Sequence, residues 1–64
     1  MTDIDYTGWK NGKCWTIATK FFGPGADKTN TETVSKMIRD GYEVREMPLH
    51  DACEAHRQAI RSML

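Results

Sequence analysis

The first third of the chain alternates apolar and polar residues after an Asn-Gly pair. Both central residues of a type I′ turn need positive φ, and Asn11-Gly12 supplies the two residue types that adopt it most readily. Every second position that follows falls on one face of a strand. These positions are Trp15, Ile17, Thr19 and Phe21. The pattern predicts a β-hairpin with one face on the core, and Gly23-Pro24-Gly25 ends its second strand.

Residues 30–47 fit two structures. In the first, Thr29 and Glu32 form a capping box, the apolar residues that follow have helical spacing, and Gly41 occupies the C′ position before a strand. In the second, residues 33–38 and 42–47 are strands joined by Asp40-Gly41, which also suits a type I′ turn. Propensity favours the helix slightly, and the pattern leaves both structures open.

The last segment has the period of an amphipathic helix. Pro48 ends the preceding element, and Asp51 with Glu54 predicts a capping box. Apolar residues then recur three and four positions apart, which places them on one stripe. The stripe comprises Leu49, Ala52, Cys53, His56, Ala59, Ile60 and Met63.

Length and composition restrict the class of protein. With 64 residues, the chain forms a single domain, 1–64, in which we expect residues 1–5 to be disordered. No apolar run has the ~18 residues of a membrane span, and no secretory signal is visible, so we expect a cytoplasmic protein without membrane contact. The two cysteines, Cys14 and Cys53, are then expected as reduced thiols. Nine basic residues balance nine acidic ones, and neither half of the sequence is polarised, which argues against nucleic acid as a partner.

Two short motifs suggest a zinc site and a phosphate-binding loop, and each departs from the pattern that its ligand needs. His50, Cys53 and His56 resemble zinc ligands, but residues six apart on a helix diverge by about 120°, so one tetrahedral site is not expected. The segment 22–29 is one residue short of a phosphate-binding loop, and Asp27 stands where that loop needs glycine. We therefore expect no enzyme, no metal and no cofactor.

The aromatic residues of the hairpin are the best candidates for binding. One helix covers one sheet face, so we expect Trp15, Ile17 and Phe21 to face the C-terminal helix and the opposite face to stay open. That open face would carry Cys14, Thr16, Ala18, Lys20 and Phe22. The predicted partner-binding residues are Trp9, Lys20, Phe22, Gly23, Pro24, Gly25 and Lys28.

Three segments resemble a group of small bacteriophage proteins, most of them uncharacterised. The segments are Thr19-Lys20-Phe21-Phe22-Gly23-Pro24, Met47-Pro48-Leu49-His50-Asp51-Ala52 and Glu54-Ala55-His56-Arg57-Gln58-Ala59. The resemblance spans residues 16–64. In the family, the stretch after the loop looks like a strand, which favours the second hairpin over residues 33–47.

The residues and the resemblance together lead to one expectation of fold and two of function. We expect an α+β domain: an antiparallel sheet of three or four strands with the C-terminal helix on one face. The alternative order is hairpin, helix, strand, helix. The resemblance implies a non-enzymatic phage protein that inhibits or modulates a host protein, with an antiviral defence complex such as CRISPR–Cas as a candidate. The alternative is a nucleic-acid-binding module that uses the sheet aromatics and lysines. A homodimer is a further candidate assembly.

Overall fold

The fold is an antiparallel three-stranded sheet with two helices. The computed structural model describes residues 4–63. In chain order the elements are β1 (Ile4–Lys10), β2 (Lys13–Thr19), α1 (Ala26–Arg39), β3 (Glu43–Pro48) and α2 (Leu49–Arg61). The strand order is β2-β1-β3, so β1 is central and pairs antiparallel with both neighbours. The α+β class and the C-terminal helix are confirmed. The predicted disorder of residues 1–5 is wrong for Ile4 and Asp5, which begin β1, whereas residues 1–3 lie outside the described residues.

The Asn-Gly pair forms the predicted hairpin turn. Asn11 has φ 54° and Gly12 has φ 74°, as a type I′ turn requires. The strands beyond it are not regularly paired, because Gly8 lies opposite Thr16 while Trp9 lies opposite Cys14. Trp15 is the extra residue of a β-bulge. The bulge moves Cys14 onto the same face as Ile17, so its predicted place on the face of Thr16 and Ala18 is wrong, whereas those two residues do share a face.

Residues 26–48 form a helix and a strand, so the predicted second hairpin is wrong. Gly41, with φ 92°, ends α1 instead of joining two strands. Its backbone N–H donates to the carbonyl of Ile38, and that of Tyr42 donates to the carbonyl of Met37. These two bonds form a Schellman motif. The alternative order, hairpin, helix, strand, helix, is therefore the observed one.

Both helices begin before the predicted capping boxes. Helix α1 starts at Ala26 after Gly25, and α2 starts at Leu49 directly after Pro48. Neither N-terminus has a side-chain cap, so Thr29 and Asp51 lie within the first turns instead. The buried face of α2 is also narrower than the predicted stripe. Ala52 and Ala59 are buried, whereas Cys53, Ile60 and Met63 are exposed.

Strand β1 is covered on both faces. Asp5, Tyr6, Thr7 and Gly8 are all buried, and successive residues of a strand point to opposite sides. Helix α1 lies over the face of Tyr6 and Gly8, and α2 lies over the face that carries Cys14. Thr16 and Ala18 line a cleft with Met37 of α1. The face predicted to be open is therefore covered, and a flat sheet surface is not available for a partner.

The described residues contain no helix that combines the length and the apolar character needed to cross a membrane.

Replacing Gly8 by alanine tests the close packing of α1 on β1. A Cβ at this position would lie 2.5 Å from Thr16 Cγ2, 2.9 Å from Tyr42 Cγ and 3.1 Å from Met37 Cε. Overpacking of this kind costs about 1–3 kcal/mol of stability. This exceeds the ~0.4–1 kcal/mol by which alanine stabilises the protein through the lower conformational entropy of the unfolded chain. We expect Gly8→Ala to lower the free energy of unfolding in a urea titration. An unchanged or higher stability would mean that these side chains do not meet at Gly8.

Replacing Gly12 tests the turn rather than the packing. No atom lies within 4 Å of a Cβ built at Gly12, so a substitution there meets only the backbone conformation. We expect Gly12→Val to cost at least ~1 kcal/mol, because a β-branched residue resists positive φ. Gly12→Asn is the matched control, since asparagine tolerates this conformation. Equal melting temperatures for Gly12→Val and Gly12→Asn would contradict the type I′ turn.

Candidate functional site

An apolar surface lies where β2 leaves the sheet. The side chains of Phe21, Phe22 and Leu49 are 50%, 70% and 42% exposed. Phe22 connects the surface, because it lines one cleft with Phe21 and Pro24 and a second cleft with Leu49. We call Phe21, Phe22, Pro24 and Leu49 the aromatic end.

A side chain from α1 anchors the backbone of the aromatic end. The backbone N–H of Phe21 donates to Asn30 Oδ1 at 2.9 Å, and Asn30 Nδ2 donates to the Phe21 carbonyl at 2.9 Å. Because Asn30 is buried, its side-chain amide is held in this orientation. The two bonds replace strand pairing beyond the end of β2. The phenylalanines are consequently displayed on an anchored segment.

The Gly-Pro-Gly loop turns the chain from the sheet into α1. Gly23 has φ 105° and Gly25 has φ 80°, conformations that favour glycine. The backbone N–H of Ala26 donates to the Gly23 carbonyl at 3.1 Å, which closes the turn. This tight reversal leaves Pro24 exposed beside the phenylalanines.

Lys20 is held beside the aromatic end by an ion pair. Its Nζ contacts Glu46 Oε1 on β3 and lies 5.6 Å from the ring centroid of Phe22. A second aromatic ring, that of Tyr6, has its centroid 5.8 Å away. The hydrogen bond to the Glu46 carboxylate raises the pKa of Lys20. Lys20 therefore stays charged, but its charge is already paired.

The structure brings together most of the predicted binding residues. Lys20, Phe22, Gly23, Pro24 and Gly25 are neighbours at one end of the sheet.

Two predicted binding residues lie elsewhere. Lys28 is exposed in the first turn of α1 and lines neither cleft beside Phe22. Trp9 lies at the opposite end of β1, next to Cys14, and is therefore not part of the aromatic end. Phe21, expected in the core, is exposed because β2 ends at Thr19 and alternation no longer applies.

The candidate metal ligands are spread over α2. His50 and Cys53 are exposed, while His56 Nδ1 lies 3.1 Å from the carbonyl oxygen of Cys14. That contact ties α2 to β2. Within residues 4–63, no three or more His, Cys, Asp or Glu side chains lie in a group that could hold a metal ion.

The two free thiols differ in environment. Cys14 is fully buried between β2 and α2, and burial raises the pKa of its thiol. Cys53 is exposed on the outer side of α2. Because the thiolate is the reactive form, the two residues should react at very different rates.

Modification with Ellman's reagent tests this difference. In the native protein at pH 8 we expect Cys53 to react rapidly and Cys14 to react only after unfolding in guanidinium. Cys53→Ser should remove the fast phase and Cys14→Ser the slow one. A single rate for both thiols in the native protein would contradict the burial of Cys14.

Comparison of the chain with protein-family models, with curated proteins and with solved structures finds no match.

Proposed function

We propose that this chain is a non-enzymatic binding protein that modulates another protein through the aromatic end. The observation that carries the proposal is the 70% exposure of Phe22 on an anchored backbone. Small proteins bury their aromatic residues where they can, because aromatics contribute most to a core. A contiguous exposed aromatic surface is typical of a contact site.

The composition of the core supports this proposal. The buried apolar residues are Tyr6, Cys14, Ala26, Met37, Ala52 and Ala59. Burying a phenylalanine contributes about 1.5–3 kcal/mol, a large share of the stability of so short a chain. Both phenylalanines nevertheless stay outside this core, where that free energy is available for association.

The surface has the arrangement of an interface anchor. Phe22 projects beside Pro24 and Leu49, and the paired charges of Lys20 and Glu46 border it. Anchors of this kind commonly supply ~2 kcal/mol or more of binding free energy when they enter a partner's pocket. A partner with an apolar groove fits this surface best.

The resemblance to small bacteriophage proteins suggests the class of partner. In that setting the partner would be a protein of the bacterial host, and the binding would inhibit or modulate it. An antiviral defence complex such as CRISPR–Cas is one candidate of this class. The cytoplasm of the host would then be the site of action.

An affinity experiment with two matched variants tests the proposal. The tagged wild-type chain, Phe22→Ser and Ile38→Ser are each exposed to bacterial lysate. Ile38 is 59% exposed on α1, away from the aromatic end, so both variants remove one exposed apolar side chain. We expect the wild type and Ile38→Ser to retain the same protein and Phe22→Ser to lose it.

Calorimetry with the retained protein then measures the loss. Phe22→Ser should weaken binding at least ~30-fold, which corresponds to ~2 kcal/mol. All three proteins should melt within ~0.5 kcal/mol of one another, since solvent-facing changes barely affect stability. Equal loss of binding in both variants, or unfolding of Phe22→Ser, would refute the assignment of this surface.

A further inference from the structure

Basic side chains gather at the end of the molecule opposite the aromatic end. Both helices run toward this end, and the hairpin turn lies between their C-termini. Seven of the nine basic residues lie between the middle of the sheet and this end, and we call them the basic end. They are Lys10, Lys13, Lys36, Arg39, Arg45, Arg57 and Arg61. Four described carboxylates accompany them: Asp40 and Glu43 at the same end, and Glu32 and Glu54 one helical turn from Lys36 and Arg57.

Contacts place the two lysines of the hairpin against the ends of the helices. Lys10 Nζ of β1 lies 4.3 Å from the ring centroid of Tyr42, directly after α1. Lys13 of the hairpin lines a cleft with Gln58 and Ser62 of α2. Lys10 and Lys13 therefore lie at the C-terminal ends of α1 and α2, respectively.

Carboxylates and helix dipoles at this end neutralise only part of the positive charge. Each helix C-terminus carries about half a negative charge, so two helices and four carboxylates supply about five, against seven positive charges. About two positive charges remain in excess. Among residues 4–63, Arg45 is the only member of the basic end with a carboxylate in salt-bridge distance. The other six have no carboxylate within that distance among these residues, and one of them, Lys10, faces the Tyr42 ring.

Aromatic rings are fixed among these charges. Trp9 Nε1 donates to Thr7 Oγ1 at 2.8 Å, and the Arg45 guanidinium lies 4.4 Å from the indole centroid. Trp15 Nε1 donates to the Lys10 carbonyl at 3.1 Å. Both indoles are thus held in place at the basic end. Basic groups with interleaved aromatic rings are the usual components of single-strand binding sites.

A small cleft lies beside Trp9. Its volume is about 220 Å³, and its lining includes Trp9, Lys13, Gln58 and Ser62. Drug-sized ligands need ~300–1,000 Å³, so the cleft suits a smaller planar group. The Gln58 amide can both donate and accept hydrogen bonds, as the edge of a nucleobase requires.

We propose that the basic end binds single-stranded nucleic acid. The lysines and arginines contact backbone phosphates, and one unpaired base enters the cleft against Trp9. A duplex would have to unstack a base to insert it, at a cost of a few kcal/mol, and a polyglutamate chain has no ring for the cleft. This surface is separate from the aromatic end, so either proposal can fail without the other.

Fluorescence anisotropy with a labelled 15-nucleotide mixed-sequence DNA strand tests the proposal. We expect a dissociation constant of about 1–100 µM near physiological salt. Three or four phosphate contacts predict a slope of about −2 to −3 for log K against log salt. The same sequence as a duplex and a polyglutamate peptide serve as competitors. If either binds as tightly as the single strand, the proposal is wrong.

Matched lysine variants locate the surface. Lys13→Gln and Lys28→Gln each remove one lysine charge, one from the basic end and one from the far end of α1. We expect Lys13→Gln to weaken binding several-fold and to reduce the slope by about 0.7, while Lys28→Gln changes neither. Arg39→Gln provides a second test in case Lys13→Gln alters the fold. Equal effects of the Lys13 and Lys28 variants would overturn the location.

Tryptophan emission tests the cleft itself. In Trp15→Phe the only indole left is that of Trp9. We expect the single strand to quench its emission by stacking, and Gln58→Ala to reduce both the quenching and the affinity. Binding that leaves the Trp9 emission unchanged would show that no base occupies the cleft.

Discussion

Burial of the central strand on both faces is the constraint on which the structure depends. A chain of this length has few residues for two helix–sheet interfaces, so α2 packs closely against β2, and side chains at the end of α1 reach β1. Gly8 on one side and Ala52 and Ala59 on the other are small enough to allow that approach. Large apolar side chains would separate the layers. Apart from Tyr6 and Met37, the buried apolar residues are consequently small, and the phenylalanines remain outside the core.

The parts of the fold that local interactions determine could be predicted from the sequence. The hairpin turn follows from Asn11-Gly12, because its dihedral angles are intrinsic to those residues. Asp40-Gly41 is different, since a glycine with positive φ suits both a hairpin turn and a helix C-terminus. Pairing of β3 with β1 across more than 30 residues decides between them. No local pattern contains that information.

The candidate surfaces also depend partly on local sequence and partly on contacts between distant residues. Exposure of Phe22 could be predicted, although for the wrong reason, because the sheet face assigned to it is covered. Exposure of Phe21 could not, since it depends on the end of β2 and on the bonds from Asn30. The bulge at Trp15 likewise changes the face of Cys14 without changing the alternation in the sequence. The two halves of the chain have equal charge, yet parallel helices place most basic residues at one end.

Strand β3 ends the sheet on one side, and its side chains affect how the protein behaves in concentrated solution. An edge strand presents unpaired backbone groups that can recruit the edge of another molecule. Exposed Glu43, Arg45 and Glu46 place charges along this edge, and Pro48 at its end lacks a backbone N–H. Two such edges that meet in antiparallel register around Arg45 or Glu46 would set like charges opposite each other. The edge therefore resists open-ended strand addition, which favours a protein that stays dispersed while its apolar phenylalanines remain accessible.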